Sequence, residues 1–200
     1  MSQVDPFSRL VLVRPWNIQY AHVNLLNGLH YPEGIVDNDK LKDEIHALHC
    51  LTHEDDVKPV DITAEISPEV VRVRDEVIAP LVKTFIRDCL GMSVDELRVD
   101  SFAKWFTKGQ ELGAHLHGGT GVTTVYYPDD TSAPLTLFDP RFNASRGYPR
   151  EVRDNHFGNR VVFPKAGDLL ILPSYILHSV ASVKEENRLS LVNDFSFTQD

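Results

Sequence analysis

Residues 167–193 read GDLLILPSYILHSVASVKEENRLSLVN. An apolar run, Leu169 to Leu172, is closed by Pro173 and Ser174 and leads through a turn to a single histidine, His178. Such a run bounded by turn formers reads as a buried strand. Ten residues beyond His178, Arg188-Leu-Ser190 opens a second strand-like stretch that continues to Asn193. Side chains alternate along a strand with a period of two, so Arg188 and Ser190 share a face. A planar guanidinium beside a hydroxyl is a receptor for a carboxylate, because the fork binds it bidentately.

The same period applies upstream, in Gly113-Ala-His-Leu-His117. His115 and His117 then point one way and Leu116 the other, which makes the two imidazoles a natural pair of metal ligands. Taken alone, an HxH pair is more often structural, and a lone Arg188 reads as a surface ion pair. Their order along one β-rich half is what carries weight.

That half has a distinct texture. Strands are expected over residues 97–107, 115–127, 135–138, 160–163, 168–172 and 188–197, separated by turn formers such as Pro128-Asp-Asp130 and Lys165-Ala-Gly167. Before it, residues 9–13 alternate into a short strand, 17–29 and 41–51 are expected to be helical, and 31–39 reads as a loop. The clearest helix begins at Ser67, a good N-cap followed by Pro68 and Glu69. Val70, Val71, Val77, Ile78, Leu81, Val82, Phe85 and Ile86 recur at helical spacing, and Gly91 suits the end. Pro80 inside this run predicts a kink or a break, and Ser93 to Glu96 looks like a capping box opening a short turn. Helices followed by many short strands predict a β-barrel or sandwich flanked by helices.

The 200 residues are 42% hydrophobic and 24% charged, ordinary values for one globular domain, and carry a formal charge of −9. Such a field disfavours nucleic acid and anionic membranes as partners. Two cysteines, Cys50 and Cys89, form no disulfide framework or CxxC pair. No apolar run reaches the roughly 18 residues of a membrane helix, and MSQVDPFSRL is not a signal peptide; the expected location is cytoplasmic. His46, His49 and His53 near Cys50 read as a half-solvated helix face, and Trp105 as a core residue.

In order and spacing, His115, His178, Arg188 and Ser190 resemble the Fe(II)- and 2-oxoglutarate-dependent oxygenases. The stretch Gly109 to His115 resembles the approach to the first ligand in prolyl-hydroxylase-like members. A group of oxygenases of about this length also shows Val125-Tyr126-Tyr127, Phe138-Asp139-Pro140, Pro173-Ser174-Tyr175 and a strand ending in Asn193. The resemblance runs from about Leu97 to Phe195. It implies a mainly β, double-stranded β-helix fold (a cupin-like jelly roll), with the N-terminal helices packed outside. One domain is expected over 1–200, with 1–96 as strand and helical support and 97–200 as the core carrying the metal site.

The resemblance further implies Fe(II), 2-oxoglutarate and O2. The iron would be held by His115, His117 and His178, and the cosubstrate by Arg188, Ser190, one of Tyr126 or Tyr127, and Asn193. The expected reaction is hydroxylation of an unactivated C–H bond in a small-molecule or peptide substrate, with release of succinate and CO2. This sequence departs from the family at His117, where the usual site has a carboxylate. Either all three histidines bind metal, or His117 is the first ligand and Gly119 marks a vacant carboxylate position. A cupin-like metalloenzyme without 2-oxoglutarate and a non-catalytic β-sandwich binding module are the competing readings. The Arg-rich segment 139–156 (Arg141, Arg146, Arg150, Arg153) is expected as a loop at the mouth.

Overall fold

The computed structural model describes residues 12–13, 20–50, 59–63 and 67–197. Eleven described strands form two antiparallel sheets that face each other as a double-stranded β-helix. The major sheet takes β1 (Leu12–Val13), β2 (Tyr20–Asn24), β3 (Val60–Thr63), β4 (Arg98–Thr107), β6 (Val122–Tyr126), β9 (Asp168–Pro173) and β11 (Asn187–Ser196), in the order β1-β2-β9-β6-β11-β4-β3. The minor sheet takes β5 (Leu112–His115), β7 (Leu135–Leu137), β8 (Arg160–Val162) and β10 (His178–Val180), in the order β5-β10-β7-β8.

The major sheet is buried on both faces, and the period of two sorts its side chains into two cores. Ala21, Val23, Ala103, Trp105, Tyr126, Leu169, Ile171, Leu189, Leu191 and Phe195 point outward, under the helices. Tyr20, Phe106, Val125, Tyr127, Leu170, Leu172 and Val192 point inward, where Leu135, Leu137, Val162 and Val180 of the minor sheet meet them. Several of these inner residues, Phe106, Val125, Tyr127, Leu135, Val180 and Val192, also line a cavity between the sheets.

Two helical elements cover the outer face. The first, α1 (Asn38–His49), is capped by Asp37, whose carboxylate accepts from the Lys40 N–H, and it buries Leu41 and Ile45. Its Asn38 takes the Tyr126 hydroxyl proton at 2.6 Å and donates to Pro128 O, which ties the helix to β6. The second, α2, spans 68–90 as four abutting segments, Pro68–Arg72, Val73–Ile78, Ala79–Phe85 and Ile86–Leu90, of which the second and fourth are wound as π-helix. Ser67 caps it through the Val70 N–H, and Gly91 ends it at φ 70°, a left-handed conformation that suits glycine. Val70, Val73, Val77, Ile78, Leu81, Val82, Phe85 and Ile86 are all 2% exposed or less.

Of the kink or break expected at Pro80, the break does not occur. Proline removes an N–H and crowds the carbonyl four residues back. Here the preceding turn widens, and the Ala79 N–H bonds to Arg74 O, five residues back. The wider turn carries the proline without ending the helix.

Four further expectations are corrected. Residues 20–24 are a strand, not helix. Tyr20 enters the inner core and Ala21 and Val23 the outer one, while His22 and Asn24 alternate with them and bond Asp168 of β9, a period of two that marks a strand. No helical turn forms at 93–96. The Lys83 ammonium instead bonds Asp95 O at 2.6 Å, while Met92, Val94 and Leu97 pack on the outer core. The stretch 115–127 is not one strand: β5 ends at His115, a turn in which Gly119 has φ 86° follows, and β6 begins at Val122 in the other sheet. Segment 139–156 holds a 3-10 turn, Phe142–Gly147, and a short helix α3 (Arg150–His156). His49 is buried and stacks on Trp105 at 4.3 Å, while His46 is exposed; His53 lies outside the described residues.

Phe85 is fully buried between α2 and the sheet. Phe85→Ala should destabilise the protein by about 3–5 kcal/mol in urea unfolding, through lost transfer energy and a cavity. A change below about 1 kcal/mol would mean that α2 is not part of the cooperative unit.

Candidate metal centre

His115 is the last residue of β5 and stands directly opposite His178, the first residue of β10. His117 lies two residues past the strand, in the turn. Its position therefore comes from the turn's hydrogen bonds rather than from strand alternation. The His117 N–H donates to Ser174 O at 3.1 Å, and Thr120 Oγ1 donates to His117 O at 3.1 Å. Ser174 returns two bonds, from Oγ to Thr120 O and from N–H to Gly121 O. The Pro173-Ser174 turn before His178 thus holds the turn after His115.

The three imidazoles converge. Ring centroids are 5.5 Å apart for His115 and His117, 4.3 Å for His115 and His178, and 5.2 Å for His117 and His178. One nitrogen of each lies within 4.8 Å of the others. Each Nδ1 already faces an acceptor: Gly113 O at 2.8 Å for His115, Asp194 Oδ2 at 2.9 Å for His117, and Ile176 O at 2.8 Å for His178. With the Nδ1 proton held there, each ring keeps its Nε2 lone pair free, the arrangement of a metal-ligating histidine. Burial pushes the His178 imidazolium pKa down to about 4 and lowers that of His115 as well. Both rings are therefore neutral at pH 7. Three imidazoles suit Fe(II) among other divalent ions.

A cavity of about 280 Å³ runs from this cluster to Arg188, close to the lower bound of roughly 300 Å³ for small-molecule sites. Its walls include Phe102, Phe106, Val125, Leu135, Val180 and Val192. Arg188 is 3% exposed, and its guanidinium lies 4.5 Å from the Phe106 ring centroid and 5.3 Å from that of Tyr127. Its Nε and Nη1 are buried without a hydrogen-bond partner, as is the Tyr127 hydroxyl, which adjoins the guanidinium without a hydrogen bond of regular geometry. Unpaired buried donors cost on the order of 1–3 kcal/mol each. A bound carboxylate would satisfy them. Ser190 lines the same cavity, as the shared strand face requires. Burial lowers the Arg188 pKa and raises that of Tyr127.

Not every candidate reaches this cavity. Of the two tyrosines only Tyr127 lines it; Tyr126 points the other way, to Asn38. Asn193 lies on the opposite face of β11, where it accepts from Ser101 Oγ at 2.8 Å and donates to Thr124 Oγ1 at 3.2 Å. An asparagine between two hydroxyls in the outer layer is a structural crosslink and has no access to the cavity. Arg141 pairs with Asp139 and lies 4.0 Å from the Phe157 ring centroid, so segment 139–158 is pinned at its base.

Sequence reasoning missed Phe102, Lys104, Phe106 and Asp194. Lys104 lines the cavity from β4, opposite Ser190, and is ion-paired with Asp61 of β3. Asp194 continues the Arg188, Ser190, Val192 alternation, so extending the period of two by one step would have found it.

Residues 100–194 match the model of a family described as "Putative 2OG-Fe(II) oxygenase". No curated protein matches. Among solved structures, the chain is similar to a Pseudomonas putida prolyl-4-hydroxylase at 14% identity and TM-score 0.60, covering 90% of this chain and 93% of that one. It is similar to HygX from Streptomyces hygroscopicus, solved with nickel and 2-oxoglutarate bound, at 17% identity and TM-score 0.58, covering 90% and 83%. A third is SnoN, a non-heme alpha ketoglutarate dependent epimerase from nogalamycin biosynthesis, at 16% identity and TM-score 0.57, covering 89% and 78%. These likenesses establish the shared fold.

His178 gives the metal-free protein a pH signature. Its folded pKa of about 4 lies below the unfolded value near 6.5. The stability it contributes is complete above pH 6.5 and is lost as pH falls toward 4, by up to about 3 kcal/mol. In chelator-treated protein, urea stability should fall by about 2–3 kcal/mol more between pH 7 and 4.5 than in His178→Gln. Parallel curves for the two proteins would contradict the burial argument.

Proposed function

We propose that this 2-oxoglutarate-dependent non-haem iron oxygenase, which works with Fe(II), 2-oxoglutarate and O2, hydroxylates an unactivated C–H bond of a small-molecule or peptide substrate. Succinate and CO2 are the co-products. One observation carries the reading. A single cavity holds three convergent imidazoles at one end and, at the other, a buried guanidinium whose Nε and Nη1 have no partner.

His115, His117 and His178 hold the iron through Nε2, with each ring oriented by the acceptor at its Nδ1. The three-histidine arrangement is favoured over a vacancy at Gly119. That glycine has φ 86°, so the turn itself calls for it, and it does not line the cavity. Arg188, Ser190 and the Tyr127 hydroxyl receive the distal carboxylate of 2-oxoglutarate. Asn193 and Tyr126 take no part in that pocket. Bound iron supplies, with O2 and 2-oxoglutarate, the oxidising power for C–H cleavage; the protein positions the reactants and excludes competitors. Phe102, Phe106, Val125, Leu135, Val180 and Val192 give the cavity apolar walls between its two polar ends. Leu116, half exposed at the histidine end, borders the opening through which substrate enters.

The chain acts as one unit, with the helices and N-terminal strands supporting the barrel. The charge of −9 supports a substrate other than nucleic acid. No helix among the described residues is long and apolar enough to cross a membrane, and we place the activity in the cytoplasm.

His178→Ala and His115→Ala should each abolish Fe(II) retention and turnover, measured by metal analysis and succinate release. Iron kept by His115→Ala, with an affinity that responds to chloride, would instead support His117 as first ligand with a vacancy at Gly119. Arg188→Ala should spare iron and weaken 2-oxoglutarate by about 10- to 100-fold, the loss expected for a charge-assisted contact of roughly 1.5–3 kcal/mol. Unchanged 2-oxoglutarate affinity would sink the assignment of the cosubstrate pocket.

A further inference from the structure

The proposed ligand set is unusual in its charge. Three neutral imidazoles bring no anion to a divalent ion, whereas a carboxylate ligand would bring one. Yet a carboxylate stands directly behind one of the three rings. Asp194 follows Arg188, Ser190 and Val192 on the inward face of β11, and its Oδ2 is 2.9 Å from His117 Nδ1. Its second oxygen is also engaged: Thr123 Oγ1 donates to Oδ1 at 2.6 Å from the neighbouring strand β6. The His117 and Asp194 side chains are 11% and 13% exposed, so water screens the pair little.

The other two histidines lack such a partner. Their Nδ1 atoms face backbone carbonyls, of Gly113 and Ile176. A carbonyl fixes a tautomer and adds no charge. A carboxylate fixes the tautomer, polarises the ring toward imidazolate and strengthens Nε2 as a donor. Among the three rings, His117 alone receives that effect, and it is also the ring that occupies the position of the family's acidic ligand.

We infer that Asp194 is the charge-compensating carboxylate of the centre, a positioning residue that acts on the metal through His117 and not by direct ligation. The inference rests on the three-histidine centre proposed above. Its role gives a signature of opposite signs. A fixed negative charge near the metal attracts the cation and repels a dianionic co-ligand. A residue that merely supported the local fold would, when replaced, weaken both.

The test uses full-length protein freed of metal by a chelator, titrated calorimetrically with Ni(II) and then, metal-loaded, with 2-oxoglutarate. Asp194→Asn retains an acceptor for the His117 Nδ1 proton and a partner for Thr123, and removes only the charge. It should weaken Ni(II) binding by about 10- to 100-fold and tighten 2-oxoglutarate binding to the loaded protein. Thr123→Val, which releases one carboxylate oxygen without removing the charge, should weaken Ni(II) to a smaller extent. It serves as the readout if circular dichroism shows that Asp194→Asn does not fold. Ni(II) affinity within twofold of wild type in the folded variants, or joint weakening of metal and 2-oxoglutarate, overturns the role of Asp194. If wild type itself takes up no Ni(II), the three-histidine centre fails and this inference with it. Uptake by wild type that His178→Ala abolishes, with no effect of Asp194→Asn, fails the inference and leaves the centre standing.

Discussion

Strand β11 is buried on both faces, and the ten-residue antiparallel ladder it forms with β4 holds the rest of the molecule in register. One alternation serves two purposes. Leu189, Leu191 and Phe195 anchor the outer core beneath α1 and α2, while Arg188, Ser190, Val192 and Asp194 face inward. A slip of one residue would exchange these sets. It would turn a guanidinium and a carboxylate into the helix-packed layer, taking Arg188 and Ser190 from the cavity and Asp194 from His117. The large apolar faces on the outer side therefore determine where the inner charges stand.

That coupling explains how a buried arginine is tolerated. Taking a guanidinium out of water is costly unless it finds partners. Here the aromatic faces of Phe106 and Tyr127 flank it, and two of its nitrogens remain unbonded. Such a group sits in a protein at a net cost that a bound anion would relieve, and the surrounding structure sustains that cost. The same reasoning applies at the opposite end, where burial keeps His178 uncharged. On the function proposed above, each end of the cavity suits a charged guest, a cation at the imidazoles and an anion at the guanidinium.

The fold does not choose the reaction's outcome. Proteins named as a prolyl-4-hydroxylase and as an epimerase share this barrel at TM-scores of 0.60 and 0.57. Function resides in what is grafted onto it. In this chain the grafted features are the histidine at position 117, the carboxylate behind it, and Lys104 with Asp61 on the wall toward β3.

Legible before folding were the β-rich C-terminal half, the helix begun by Ser67 and ended by Gly91, and, through an order and spacing that resemble a known family, the residues His115, His178, Arg188 and Ser190. These were legible because each depends on local rules: a period of two, a cap, a left-handed glycine, and a fixed spacing between two strands. The sequence also placed His117 beside His115, although the reason given, strand alternation, is not the operative one; the ring lies beyond the strand and is aimed by the Ser174 turn. Strand β2 was missed although Ala21-His-Val-Asn24 alternates, because five residues are too few for a period of two to outweigh a helical reading of 17–29. The choice between Tyr126 and Tyr127, the exclusion of Asn193, and the partnership of Asp194 with His117 depend on which face of a sheet turns toward the other sheet. Packing between the sheets settles that, because the alternation fixes relative faces along a strand and leaves open which of them meets the histidine end of the cavity.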